Sequence, residues 1–273
     1  MNKEESVRIG IALSGGGARG IAHIGVLRAL EEQGLFPEVL SGTSAGAIAG
    51  ALYASGNGPD RMMEFVKDAS ILKIFKVSFP YSGLAKLTYL KDRLAKFIEV
   101  DGFEALQKKL FVAVSNLNTG ECKIIEEGPL FQAIMASSAI PLVFQPIEIN
   151  GQQYVDGGLL ENLPVRPLVY ADVDLIIGVN VMPLVDAPGK SVQSVFGIAT
   201  RCFELSIQGN TRPNVEFCDI FIEPKRVHAY NIFQFNKYQE FYDIGYETAV
   251  AQMPEILRKV EEARARKVGL DAG

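Results

Sequence analysis

Ser41-Gly42-Thr43-Ser44-Ala45-Gly46 lies between the apolar pair Val39-Leu40 and a run of small residues over 47–54. This order predicts a strand, a sharp turn and a helix, with the pattern Gly-x-Ser-x-Gly at the turn. Gly42 and Gly46 leave room where the chain reverses, so Ser44 would be strained with its hydroxyl exposed. The helix dipole would favour negative charge on the serine oxygen. The pattern indicates a nucleophilic serine; the alternative is a helix N-cap serine in a glycine-rich turn.

A second strand–loop–helix unit precedes this one. Residues 7–13 predict a buried strand, Ser14 to Gly20 form a glycine-rich loop, and residues 21–33 predict a helix. Two successive units imply parallel pairing, so both loops would meet at the carboxyl edge of the sheet. The glycine loop has two interpretations. Its Gly-x-Gly-x-x-Gly spacing is that of a dinucleotide site, but no carboxylate ends the second strand. We favour an oxyanion hole formed by the N–H groups of Gly15, Gly16 and Gly17.

The composition sets the class of protein. The chain has 273 residues, 48% hydrophobic and 22% charged, with a formal net charge of −5. A size and balance of this kind predict one large α/β domain over 1–273, with no general attraction to nucleic acid. We expect no secretory signal peptide, no spanning helix and a cytoplasmic location. The three widely spaced cysteines favour neither disulfides nor a zinc site.

The rest of the chain supplies three further features. Asp156-Gly157-Gly158 ends the second strand of a predicted hairpin, which places a carboxylate beside bare backbone. The C-terminal part is predicted to be helical, over 191–209 and again over 239–268 with a break or kink at Pro254. Residues 71–90 are apolar with interleaved lysines. That segment suits a lid or peripheral contact with anionic lipid, and equally an ordinary connection with inward apolar side chains.

A nucleophilic Ser44 needs a base, and the chain has only two histidines, His23 and His228. His23 is expected to pack or cap beside the glycine loop, and nothing around His228 indicates a role. A carboxylate is therefore the better candidate. Asp156 could take the serine proton directly if a dry environment raises its basicity.

These motifs together resemble the patatin-like phospholipases. The resemblance covers about 7–181 and rests on the motifs that contain Gly15–Gly20, Ser44, the segment 136–146 and Asp156. It implies a three-layer α/β/α fold with a mostly parallel sheet; the C-terminal helical part over about 191–268 is predicted from the residues alone. It also implies a Ser–Asp dyad that needs no calcium or other cofactor and acts on lipid esters, with Ser44 as nucleophile and Asp156 as base.

The same resemblance assigns supporting roles around that dyad. The Gly16 and Gly17 amides would bind the oxyanion, and Arg19 would orient the loop or attract anionic head groups. The remaining supporting positions are Gly20, Gly42, Gly46, Gly157 and Gly158. Two other functions stay open from the residues: an acyltransferase with the same acyl-enzyme, and a nucleotide-binding module that uses the glycine loop. A catalytically silent lipid-binding protein is a third.

Overall fold

The computed structural model describes residues 7–67, 87–183 and 193–271. One sheet of eight strands carries helices on both faces. The strands are β1 (Ile9–Leu13), β2 (Val39–Gly42), β3 (Lys109–Asn116), β4 (Cys122–Ile125), β5 (Ile147–Ile149), β6 (Gln152–Asp156), β7 (Leu175–Val179) and β8 (Ile220–Ile222). The α-helices of the described residues are α1 (Ala22–Glu31), α2 (Ala45–Ala54), α3 (Pro59–Lys67), α4 (Thr88–Leu94), α5 (Leu130–Ser137), α6 (Arg166–Val169), α7 (Val195–Val215) and α8 (Tyr238–Asp271).

The sheet order is β5-β6-β3-β2-β1-β7-β8, and β4 pairs with β3 outside this path. Five adjacent strands are mutually parallel: β3, β2, β1, β7 and β8. Strands β4, β5 and β6 are joined to the sheet by antiparallel pairing. The prediction of an α/β fold with a mostly parallel sheet is confirmed. Because β1 and β2 lie side by side, the loops that follow them meet at one edge of the sheet.

Strands β2 and β6 share one edge of β3 and run toward each other. Strand β2 pairs in parallel with Lys109 to Val112, and β6 pairs antiparallel with Val114 to Asn116. Strand β4 overlaps both of these stretches, so it must occupy the opposite edge of β3. The carboxyl ends of β2 and β6 therefore converge near Ala113, and this register brings the turn after β2 close to Asp156.

The core lies on both faces of the sheet because the parallel strands are buried on both sides. In β1, Ile11 and Leu13 pack into the larger cluster, which includes α1, α2 and α8, while Ala12 packs into the smaller one. The smaller cluster is covered by α6 through Leu168. This alternation gives the predicted three layers, with the sheet in the middle.

Helix α7 is longer than predicted, and α8 is not divided at Pro254. The prediction that a helix ends at Gly209 is wrong, since α7 continues to Val215. Polar side chains beyond Gly209 hydrogen-bond to another part of the chain, and such contacts outweigh the low helix propensity of glycine. Pro254 lies inside α8, which is one helix from Tyr238 to Asp271. Pro254 leaves the Val250 carbonyl without its helical donor, and Val250 lies on the exposed side.

Candidate active site

Ser44 occupies the turn between β2 and α2 with φ 52° and ψ −120°. A non-glycine residue with a positive φ of this kind costs of order 1–3 kcal/mol and persists only where its surroundings hold it. The turn is tight on both sides. A Cβ on Gly42 would lie 2.5 Å from the Gly46 carbonyl oxygen, and one on Gly46 would lie 2.1 Å from the Leu13 carbonyl oxygen. Both positions therefore require glycine, as the Gly-x-Ser-x-Gly pattern predicted.

Ser137, at the end of α5, holds this turn in place. The Ser44 N–H donates to Ser137 Oγ at 2.8 Å, and the Ser137 hydroxyl donates to the Ala113 carbonyl oxygen at 2.7 Å. Ser137 is completely buried, so both bonds are shielded from water. The side chain ties the strained residue to the centre of β3. The sequence did not lead us to predict this role of Ser137, although the residue lies in the segment 136–146, one of the motifs behind the resemblance.

Asp156, at the end of β6, lies against the Ser44 hydroxyl. The Ser44 side chain interacts with the Asp156 carboxyl and lowers its pKa, and the Gly158 N–H donates to Asp156 Oδ1 at 2.8 Å. Asp156 is 3% exposed and Ser44 6% exposed. The structure therefore brings together the two side chains that the sequence proposed as nucleophile and base, in a nearly dry environment.

Burial raises the pKa of Asp156 from 3.8 to about 7. Loss of hydration disfavours the charged carboxylate and dominates this shift, while the hydrogen bonds from Ser44 and Gly158 act in the opposite direction. A carboxyl whose pKa lies near neutrality is a much stronger base than an ordinary aspartate. It can accept a proton at neutral pH from a neighbouring hydroxyl group.

The glycine loop lies beside Ser44 at the same edge of the sheet. Gly15 donates its N–H to the Asn162 carbonyl oxygen at 3.2 Å, so this donor is already engaged. Gly16 is followed by a 3-10 turn, Gly17–Ile21, in which Gly17 has φ 57°. No acceptor within the described residues pairs with the N–H groups of Gly16 and Gly17. These two amides are therefore the available donors of the loop.

The other predicted supporting glycines pack closely around the same turn. A Cβ on Gly20 would lie 2.4 Å from the Cβ of Ala45, the first residue of α2. A Cβ on Gly157 would lie 2.3 Å from the Ala113 carbonyl oxygen. The glycine loop, the Ser44 turn and the loop after Asp156 are thus in direct contact with each other or with β3.

Arg19 points away from the Ser44 turn. Its guanidinium donates to the carbonyl oxygen of Tyr230, at 2.8 Å from Nη2 and 3.0 Å from Nε, and approaches Met182 Sδ. Partial burial lowers the pKa of Arg19. Of the two roles that the resemblance suggested, these contacts favour orienting the loop over attracting a head group.

His23 and His228 lie apart from this constellation. His23 is fully buried, its Nε2 lies 2.9 Å from the Ser14 carbonyl oxygen, and burial lowers its pKa to about 4. A neutral histidine can donate that hydrogen bond and thereby support the start of the glycine loop. His228 lies in a 3-10 turn whose backbone contacts Arg19.

Two clefts meet at Ser44. The apolar cleft, of about 850 Å³, is bounded by side chains of α1, α2, α3 and α4, among them Ile24, Ala49, Met62 and Leu90. The Asp156 cleft, of about 690 Å³, contains Asp156, Asn162 and several side chains of α7. Gly17, Ser44 and Ile140 border both clefts. The Ser44 hydroxyl is therefore at the junction of an apolar space and a space that contains its carboxylate partner.

Helix α7 belongs to this site, although sequence reasoning gave it no role. Ala199, Phe203 and Ile207 recur every four residues and line the Asp156 cleft. Other residues of α7 hydrogen-bond to the loop that follows Asp156. In the sequence, the polar residues spaced by four along this helix were the signal that could have indicated its role.

Neither a metal centre nor a membrane span emerges from the described ranges. Within 7–67, 87–183 and 193–271, no three His, Cys, Asp or Glu side chains cluster as metal ligands would. In the same ranges no helix has the length and apolar character needed to cross a bilayer.

The fold and site define an α/β protein with a strained serine turn beside a glycine loop. A family model described as patatin-like phospholipase matches residues 11–169. This chain belongs to the patatin-like phospholipase family, which confirms the resemblance seen in its motifs.

Relatives and solved structures agree with this assignment. An uncharacterized NTE family protein of Mycobacterium tuberculosis is 33% identical over 194 residues, covering 69% of this chain and 53% of that protein. The chain thus spans about half the length of such relatives. Lysophospholipase NTE1 of Pyricularia oryzae is 25% identical over 307 residues, covering 95% of this chain and 20% of that protein. The crystal structure of VipD from Legionella pneumophila has a TM-score of 0.53 and 17% identity, over 87% of this chain and 67% of that one, and supports the fold.

Proposed function

We propose that this chain is a serine acyl-hydrolase that cleaves lipid acyl esters through an acyl-enzyme on Ser44, with Asp156 as general base. The observation that carries the proposal is the pairing of Ser44 with the buried carboxyl of Asp156, both of which line the same cleft at the junction with the apolar one. Membership of the patatin-like phospholipase family supports a lipid substrate. The fungal relative named lysophospholipase supports it further.

The acylation step uses the groups around Ser44. Ser44 Oγ attacks the ester carbonyl carbon while Asp156 accepts the hydroxyl proton. The negative charge that develops on the carbonyl oxygen would be stabilised by the N–H groups of Gly16 and Gly17, at about 3 kcal/mol for each donor. The carbon–oxygen bond to the alcohol then breaks, and Asp156 returns its proton to the leaving oxygen. Water, deprotonated by Asp156, hydrolyses the acyl-enzyme and restores Ser44.

The two clefts distinguish the acyl side of the substrate from its alcohol side. Asp156 borders one cleft and not the other, and the group that protonates the leaving alcohol must lie on the alcohol's side. We therefore assign the leaving alcohol to the Asp156 cleft and the acyl chain to the apolar cleft. The aliphatic walls of the apolar cleft support this assignment, because an alkyl chain gains free energy wherever it displaces water.

Peripheral contact with a lipid surface through about 71–90 is part of the same proposal. Residues 71–86 of this segment lie outside the described residues. At its described end, Leu87 and Leu90 are buried and line the apolar cleft. Their position supports a connection between this segment and the space assigned to the acyl chain.

The proposal is tested by fatty acid release from lysophosphatidylcholine and from short nitrophenyl esters. We expect turnover by the wild type, and a loss of about 10³-fold or more in Ser44→Ala and in Asp156→Asn. Asp92→Asn, the same substitution on the exposed surface of α4, should retain full activity. Robust hydrolysis by either dyad variant would contradict the proposal. Acyl transfer to added lysolipid, in place of fatty acid release, would identify an acyltransferase.

A further inference from the structure

Helix α7 directs a row of polar side chains at the loop that follows Asp156. These side chains recur once per helical turn and share one face: Ser206, Asn210 and Asn214. Ser206 Oγ donates to the Leu159 carbonyl oxygen at 2.6 Å, and Asn214 Nδ2 donates to the Glu161 carboxylate. The loop is thus bound to α7 along its whole length, by side chains rather than by sheet pairing.

Asn210 makes the central pair of these bonds, and it uses both ends of its amide. Its Nδ2 donates to the Gly158 carbonyl oxygen at 3.0 Å, and its Oδ1 accepts from the Asn162 N–H at 2.8 Å. One side chain therefore spans the loop from Gly158 to Asn162. An aliphatic side chain of similar size could make neither bond.

The two residues that Asn210 holds are each bonded to a part of the candidate active site. Gly158 donates its N–H to Asp156 Oδ1 at 2.8 Å, which fixes the carboxylate. Asn162 accepts the Gly15 N–H on its carbonyl oxygen at 3.2 Å, which fixes the start of the glycine loop. Asn210 is itself absent from the lining of both clefts, so it acts through these two residues.

We propose that Asn210 is a positioning residue, which holds Gly158 and Asn162 so that Asp156 and the glycine loop keep their places around Ser44. The inference rests on the proposed function, since it assigns Asn210 to the same reaction. It adds that α7, which lies beyond the residues matched by the family model, completes the site.

Two variants of Asn210 test this role, with a control on the same helix face. Asn210→Ala removes both bonds. Asn210→Asp keeps the side-chain size and the acceptor for the Asn162 N–H, but it places a carboxylate oxygen against the Gly158 carbonyl oxygen. This variant provides the test if Asn210→Ala fails to fold. Ser206→Ala removes the neighbouring bond to Leu159 and leaves Gly158 and Asn162 untouched.

We expect kcat to fall by about 10- to 100-fold in the Asn210 variants, because small displacements of reacting groups have effects of this size. KM for a lysolipid should stay within about twofold, and Ser206→Ala should stay within about threefold of the wild type in kcat. The acid limb of the pH profile should move to higher pH. The hydrogen bond from Gly158 lowers the pKa of Asp156, and a loosened Gly158 lowers it less.

A carboxyl ¹³C titration of Asp156 by NMR measures the same effect without catalysis. A raised Asp156 pKa in Asn210→Ala, with no esterase activity even in the wild type, would support the positioning role and refute the proposed function. An active wild type with an unchanged kcat and pH profile in a folded Asn210→Ala would overturn the positioning role. An equal loss in Ser206→Ala would also overturn it, because the whole helix face would then act as ordinary packing.

Discussion

Replacing Asp156 by asparagine should make the free energy of unfolding less dependent on pH. Asparagine has the same shape, can accept the Gly158 N–H on Oδ1 and can donate to Ser44, so packing is preserved. The folded wild type binds the Asp156 proton more tightly than the unfolded chain, because burial raises the pKa from 3.8 to about 7. The stability that this proton contributes is complete below about pH 4 and is lost as the pH rises through about 7.

The magnitude follows from the span of pH over which only the folded state keeps the proton. Between about pH 5 and about pH 8.5 the free energy of unfolding of the wild type should fall by about 3 kcal/mol because of this carboxyl. The fall is 1.36 kcal/mol per pH unit up to about pH 7. Asp156→Asn lacks this loss, so its stability relative to the wild type should rise by about 3 kcal/mol. Urea denaturation at both pH values measures the difference, with Asp92→Asn as the surface control. A constant difference between Asp156→Asn and the wild type would refute the buried, proton-binding carboxyl.

Three further outcomes are expected. Ser137→Ala leaves the Ser44 N–H buried without its acceptor, so urea denaturation should show a loss of about 1–3 kcal/mol, and kcat should fall more than KM rises. Ala49→Phe fills part of the apolar cleft, so kcat/KM for long-chain esters should drop about tenfold while that for acetate esters is kept; equal losses on both would contradict the assigned acyl site. The wild-type kcat/KM should fall about tenfold per pH unit below about 7, where Asp156 takes up its proton, whereas an acid limb near pH 4 would mean an ordinary carboxylate.

The turn around Ser44 could be predicted from sequence because its causes are local. Gly42 contacts the Gly46 backbone within the same strand–turn–helix unit, and that requirement is visible in the order of residues, whereas Gly46 faces the Leu13 carbonyl of the neighbouring unit. The parallel pairing of β1 and β2 followed from the same repetition of units. The proximity of Ser44 to Asp156 depends in addition on β2 and β6 sharing an edge of β3, which the local order of residues does not encode.

The long-range supports could not be predicted because nothing local encodes them. Ser137 is 93 positions from Ser44, and Asn210 is 52 positions from Gly158. The extent of α7 was misjudged for the same reason. Gly209 indicates a helix end by propensity, while the bonds made by Asn210 and Asn214 are tertiary.

The central claim, that Ser44 is a nucleophile activated by Asp156, is tested most directly with a fluorophosphonate ester. The reagent phosphonylates activated serines, and intact mass with peptide mapping locates the adduct. We expect one adduct on Ser44 that forms in the wild type and in Asp92→Asn, and that is absent or at least about 10²-fold slower to form in Asp156→Asn. A folded wild type that stays unlabelled, with or without micelles, or an Asp156→Asn variant labelled at the wild-type rate, would contradict this claim.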